Sequence, residues 1–310
     1  MPTIAAPPRW SAADIPDQTG RTAVVTGANS GLGLETTREL ARHGAHVIMA
    51  VRNLDKGADA AGQIRAQIPG ARLELRQLDL ADLDSVRAFA AGDFPVLDLL
   101  INNAGVMMPP LTRTQQGFEL QIGANHLGHF ALTALLWPRL AGAPAARVVT
   151  VSSGLHKRGA IDFDDLSYTS RPYSPTGAYA QSKFANVLFG LELDRRLRAA
   201  GLPAASLLAH PGYAATNLQT SGPTGIIARL GGLGNLLFAQ SAADGALPQL
   251  YAATAPEATS GQFIGPSRLG EMRGAPKVVR AIPAAEDPQV AARFWALSET
   301  LTSTPFSVGS

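Results

Sequence analysis

The chain contains no cysteine, which excludes disulfides and thiolate metal sites. It has no run of about 18 apolar residues of the kind that crosses a bilayer. Its longest apolar stretch, Ile226 to Phe238, is broken by Arg229 and several glycines. The N-terminus, MPTIAAPPRWSAAD, carries three prolines and no apolar core, so neither a secretory leader nor a membrane anchor is expected and cytoplasmic residence is the default. Charge of either sign is scarce and nearly balanced: 26 basic against 24 acidic residues, net +2. No Lys/Arg stripe forms, so no nucleic-acid partner is expected. The 6 histidines are scattered. His126 and His129 stand three apart without a neighbouring carboxylate, and no metal is expected.

What is present is apolar material: 46% hydrophobic and 16% charged residues over 310 positions. That fills one large core and argues against disorder. Apolar runs predict strands over 23–25, 46–50, 73–78, 96–101, 147–151 and 204–209. Between them, helical patterns cover 32–43, 54–67, a segment capped by Asp82 and reaching Ala90, 114–140 and 176–200. Strands alternating with helices mean βαβ units and a parallel sheet. Near-continuous apolar strands suit a sheet covered on both faces. The expectation is α/β: a Rossmann-type doubly wound parallel sheet with helices on both faces. It forms a single domain over 20–310, after an N-terminal extension at 1–19.

Gly27, Asn29, Ser30, Gly31, Leu32 and Gly33 lie between the first strand and the first helix. A helix N-terminus offers unpaired N–H groups and partial positive charge to a phosphate, and glycine lets the backbone approach a pyrophosphate. The plain alternative is a glycine-rich turn with a polar cap. Nineteen residues after Gly33, where an NAD enzyme places an acid for the ribose hydroxyls, stand Arg52 and Asn53. A guanidinium holds a 2′-phosphate bidentately, so NADP(H) is favoured over NAD(H). Asp55 reads as the cap of the following helix. Asp79-Leu80 and Asn102-Asn103-Ala104-Gly105 end the third and fourth strands, at the carboxyl edge where open α/β sheets bind ligands.

Tyr179 and Lys183 are four apart on a helix and therefore share a face. Carbonyl reduction needs an acid, and a free phenol with a pKa of about 10 is too weak at neutral pH. A nearby ammonium favours the phenolate by roughly 1–3 pKa units, which brings the phenol into a useful range as general acid/base. Ser153, at the end of the fifth strand, is placed to hydrogen-bond a substrate oxygen. Asn125 is an unusual residue for a helix interior and reads as a water-holding group linking Lys183 to solvent, or as an exposed polar position.

These motifs, in this order over about residues 20–220, resemble the short-chain dehydrogenase/reductase family: Thr26-Gly27-x-x-x-Gly31-x-Gly33, Asp79-Leu80, Asn102-Asn103-Ala104-Gly105, Asn125, Val151-Ser152-Ser153, Tyr179-x-x-x-Lys183 and Pro211-Gly212. The resemblance implies a catalytic tetrad of Asn125, Ser153, Tyr179 and Lys183. It puts Pro211 and Gly212 beside a nicotinamide, Thr216 on its carboxamide or phosphates, and a lid at about 219–240. The 26-residue interval from Ser153 to Tyr179 is longer than in the family's classical members and implies an inserted loop, 154–175, over the pocket. That interval, Asn125-His126-Leu127-Gly128-His129-Phe130 and Gly270-Glu271-x-Arg273-Gly274 are similar to the retinol dehydrogenase and protochlorophyllide reductase branch, whose members generally use NADP(H). The lid's apolar residues imply a hydrophobic substrate end, with Met107, Met108, His156 and Tyr173 lining the same space.

The expected function is therefore NADP(H)-dependent interconversion of a carbonyl and an alcohol on a small-molecule substrate. A non-catalytic NADP(H)-sensing Rossmann protein is the alternative, and an epimerase or dehydratase of the extended branch a third reading. Family members often associate through the two long helices, here 114–140 and 176–200, so a homodimer or homo-oligomer is expected unless those faces are core.

Overall fold

The computed structural model describes residues 9–213 and 240–309. The expected Thr216 and the lid, apart from Gln240, lie outside the described residues. Strands β1 (Thr22–Thr26), β2 (His46–Val51), β3 (Arg72–Gln77), β4 (Leu99–Asn102), β5 (Arg147–Val151), β6 (Ala205–Ala209), β7 (Phe263–Arg268) and β8 (Arg273–Val279) form one sheet in the order β3-β2-β1-β4-β5-β6-β7-β8. All neighbours are parallel except β7 and β8, which form an antiparallel hairpin.

Alternate residues on each strand feed opposite cores, as the two-residue period requires. Val25, Met49, Ile101 and Val149 pack on one face with α1 (Gly31–Arg42), α2 (Leu54–Gln67) and α7 (Ala242–Thr254). Val24, Ile48, Leu100 and Val148 pack on the other, with α3 (Leu83–Ala90), α5 (Gly128–Ala141) and α6 (Pro175–Ala199). Two helices follow the hairpin: α8 (Pro283–Glu286) and α9 (Pro288–Thr302). The leading segment joins the same body: Ile15 is buried in the first core, and Trp10 stands edge-on to Tyr251 at 5.3 Å. Among the described residues no helix is long and apolar enough to cross a membrane.

The helix expected over 114–140 begins only at Leu120, because Gly117 takes φ 85° in a turn and Glu119 caps the N–H groups of Gln121 and Ile122. It continues as α4 (Leu120–Ile122), a π turn at Gly123–Leu127 and α5. The strand expected over 96–101 begins at Leu99; the Leu97 N–H goes to the Arg139 carbonyl on a helix, and the Asp98 N–H makes the first contact with β1, at the Thr22 carbonyl. Asn53, not Asp55, caps α2: its side chain accepts from the Lys56 N–H at 2.8 Å, while Asp55 already lies inside the first turn.

The outer face shared by the two long helices is core. Trp295 of α9 packs edge-on to Phe130 at 5.1 Å and stacks with Phe189 at 5.7 Å, and His126 lies 4.7 Å from the Phe294 ring. The Trp137 indole donates to the Val308 carbonyl at 3.2 Å, so the C-terminal tail covers α5 as well.

Candidate functional site

The carboxyl ends of β1, β2, β4 and β5 open into a cleft of about 770 Å³. Its walls bring together Gly27, Asn29, Ser30, Gly31, Leu32, Arg52, Asn53, Asp79, Leu80, Asn103, Ala104, Gly105, Tyr179, Lys183 and Pro211. Of the remaining expected positions, Gly33, Asn125, Ser153 and Gly212 are not among the lining residues. Met107 lines the cleft; Met108, His156 and Tyr173 do not. No residue of 154–174 lines it either. That insert is fastened to its own backbone: the Asp165 carboxylate accepts N–H donors from Thr169, Ser170 and Arg171, and Arg113 reaches the carbonyls of Ser167 and Tyr168. It is tethered to its own backbone and does not reach the lining of the cleft.

At one end of the cleft, the turn into α1 leaves room for a backbone-to-ligand approach. A Cβ on Gly33 would stand 2.2 Å from the Gly27 carbonyl oxygen and 2.6 Å from Asn103 Nδ2, so only glycine lets the helix pack onto this turn. Gly27 itself takes φ 66°. Ser30 stands at the N-cap of α1 and makes no side-chain cap bond. Farther along, Arg52 and Lys56 face the cleft, and among the described residues neither makes an ion pair. The sequence reading missed Lys56, Asp59 and Gln63. They lie on one face of α2 at helical spacing, and only the course of that helix across the cleft identifies them.

The Asn102–Gly105 turn is locked from below. The Thr26 hydroxyl oxygen accepts the N–H groups of Asn103 at 3.0 Å and Ala104 at 2.9 Å, and its hydrogen is left for His129 Nε2 at 2.9 Å. His129 Nδ1 donates to the Asn125 carbonyl at 3.0 Å; a carbonyl only accepts, which fixes the tautomer. Burial holds His129 down to about 4, in keeping with a neutral ring.

Asn125 sits in the π turn, the kind of helix irregularity that often accompanies functional sites. Its side chain accepts from the Val106 N–H at 2.8 Å and donates to the Val106 carbonyl and to Ser182 Oγ, each at 3.0 Å. Its side chain thus fastens the turn after Gly105 to α6.

Tyr179 and Lys183 lie on one buried face of α6, 5% and 3% exposed, and both reach the cleft. Lys183 Nζ donates to the Val151 carbonyl at 3.1 Å. The two adjacent serines separate by partner. Ser152 is buried and donates to the Lys183 carbonyl at 2.8 Å. Ser153 caps the 3₁₀ turn Gly154–Arg158 and stands beside the Tyr179 phenol. The expectation that the lysine lowers the phenol pKa is not met. Burial pushes Tyr179 up to about 12, and the opposing pull comes from the Ser153 hydrogen bond. Burial also pushes Lys183 down to about 8. Both groups have been withdrawn from water, and that outweighs their mutual attraction.

A family model described as short chain dehydrogenase matches residues 21–224. The chain is 43% identical over 290 residues to retinol dehydrogenase 13 of Homo sapiens, covering 91% of this chain and 84% of that protein. A crystal structure of an uncharacterized protein from Mycobacterium paratuberculosis is 49% identical, covers 96% of this chain and 99% of its own, and superposes with a TM-score of 0.82. A short chain dehydrogenase from Escherichia coli CFT073 complexed with NADPH is 25% identical, with a TM-score of 0.61 over 80% of this chain and 97% of its own.

Proposed function

Because the chain belongs to the short-chain dehydrogenase family, and so is an oxidoreductase, we propose that it interconverts a carbonyl and an alcohol on a hydrophobic small molecule using NADP(H). The observation that carries this reading is the convergence of the buried Tyr179–Lys183 pair with the glycine turn and Arg52 on one continuous cleft.

The cleft fits a dinucleotide. The Gly27–Gly33 turn and the N-terminus of α1 would hold the pyrophosphate, Asn103–Gly105 the flat ring system and its ribose, and Arg52 with Lys56 a 2′-phosphate. The NADPH bound to the Escherichia coli relative is in keeping with that assignment. When bound, the nicotinamide supplies or accepts the hydride. Tyr179 holds the proton at its phenol oxygen and delivers it to the substrate oxygen in the reductive direction. Burial pushes the phenol up to about 12, so it holds its proton at neutral pH and gives it up only as negative charge builds on the substrate oxygen. Ser153 orients the same oxygen. Lys183, a cation below about 8, stabilises the negative charge that develops as the proton leaves. Asn125 keeps the Gly105 turn and α6 at fixed spacing.

Val106, Met107, Leu120 and Ala124 make the neighbouring wall apolar, which favours an apolar substrate. The name of the human relative, a retinol dehydrogenase, points to the same chemical class. The reading is tested by following nicotinamide absorbance with purified protein, NADPH and a panel of long-chain and isoprenoid aldehydes. Turnover supports it; binding of NADPH without turnover across the panel favours a sensor.

A further inference from the structure

The segment Gly270-Glu271-x-Arg273-Gly274 has no part in the chemistry above. It forms the turn between β7 and β8, where Leu269, Gly270 and Glu271 take φ of 50°, 63° and 67°. Two non-glycine residues in that region mark a turn held in place by its surroundings. Glu271 shows what holds it. Its Oε2 receives Lys157 Nζ at 2.8 Å and stands 3.3 Å from His210 Nε2.

Those two neighbours come from the segments that follow β5 and β6. Lys157 belongs to the 3₁₀ turn that Ser153 caps. His210 directly follows β6 and precedes Pro211. His210 is buried, and its Nδ1 accepts the Gly212 N–H at 3.2 Å. An acceptor at Nδ1 puts the hydrogen of the neutral ring on Nε2, the nitrogen beside Glu271. Burial holds this ring down to about 4, so it is neutral at neutral pH. Gly265 of β7 makes the space, since a Cβ there would lie 2.2 Å from His210 Nε2. The turn and the hairpin interlock further: a Cβ on Gly212 would meet the Met272 carbonyl oxygen at 2.4 Å, and the Tyr213 N–H donates to that oxygen at 2.8 Å.

We propose that Glu271 is a positioning residue whose carboxylate couples Lys157, in the turn capped by Ser153, to His210, adjoining Pro211–Gly212, and so fixes the spacing of the segments after β5 and β6 at the substrate end. A carboxylate suits this place because it accepts the Lys157 hydrogen bond while standing 3.3 Å from His210 Nε2, a buried nitrogen that has no hydrogen-bond partner among the described residues. The consequence for turnover rests on the oxidoreductase reading; the coupling itself does not.

The experiment uses the full chain carrying Glu271→Gln, Lys157→Met, both together, or Lys157→Arg. Hydrogen exchange is read by mass spectrometry over 208–213, together with kcat, substrate KM and NADPH affinity. Glu271→Gln is expected to speed exchange at 210–213 and lower kcat/KM for the carbonyl substrate about tenfold. NADPH affinity should stay within about twofold, because phosphate and adenine contacts lie elsewhere. The double variant should be no worse than Glu271→Gln, and Lys157→Arg should match the parent. Unchanged exchange in Glu271→Gln, or additive losses in the double variant, overturns the coupling. If Glu271→Gln fails to fold, Lys157→Met decides by the same exchange readout. A parent protein that turns over no carbonyl removes the functional reading while the exchange data still judge the coupling.

Discussion

Lys183 Nζ lies 5.8 Å from the centroid of the Tyr179 ring, on the same buried face of α6. The pair therefore faces one cleft, but the ammonium does not dominate the phenol. Its donor reaches the Val151 carbonyl, and the phenol is governed by burial and by Ser153. The lysine matters through its charge during proton transfer, not through a lowered resting pKa of its neighbour.

This gives a pH prediction for reduction. Burial holds Lys183 down to about 8, so its charge is present below that pH and lost as pH rises through it. Reductive kcat should decline on an alkaline limb near pH 8. In Lys183→Arg, whose guanidinium stays charged, any surviving activity should lose that limb. A pH–rate profile measures both; a limb unmoved by the substitution contradicts the assignment.

Arg52 is exposed and, among the described residues, without an ion pair beside the cleft. Arg52→Ala should weaken NADPH binding about 10- to 100-fold, the range expected for loss of a charged hydrogen-bonding partner, and leave NADH binding nearly unchanged. Parallel fluorescence titrations with the two cofactors check this. Equal losses for both would remove the 2′-phosphate assignment.

Much of this was legible beforehand. Thr26 to Gly33, Asn102 to Gly105 and the Tyr179–Lys183 spacing are local: each combines a short motif with the element carrying it, and the β/α alternation through β6 follows from apolar period alone. The rest depends on contacts distant in sequence. Nothing near His129 announces that its ring caps the Thr26 hydroxyl. Lys56 reads as an ordinary helix cation until α2 is laid across the cleft. The π turn at Asn125 leaves no mark in a helical pattern, and the strands and helices read from the apolar pattern end at 209, short of the hairpin and α9. The burial of the long helices under Trp295 was equally invisible, because an apolar helix face suits a core and a subunit contact alike.

Gly33→Ala should abolish tight NADPH binding and lower stability by roughly 1–3 kcal/mol, the usual effect of forcing a methyl into a closed site. The added carbon would collide with the Gly27 carbonyl, which is backbone and cannot swing away. Denaturant unfolding and a cofactor titration test the two parts; wild-type values in both would show that the turn is looser than described.

Acid should destabilise the fold well above the range where carboxylates protonate. Burial holds His126 near 3 and His129 and His210 near 4, below the unfolded value of about 6.5. The unfolded chain therefore binds more protons between these values, and stability present above about pH 6.5 is lost as pH falls toward 4. The slope approaches roughly 1.4 kcal/mol per pH unit for each histidine. Urea unfolding at pH 7, 6 and 5 should give steadily falling free energies; a flat series would mean that these rings are not held neutral.

The central claim is that the Tyr179 phenol carries the proton. Turnover and NADPH affinity of Tyr179→Phe, measured side by side on one folded preparation, test it most directly. The account predicts that carbonyl reduction falls by at least about a hundredfold, the lower bound for loss of a general acid, while NADPH still binds with near-parental affinity. Substantial residual turnover at intact cofactor binding would contradict it.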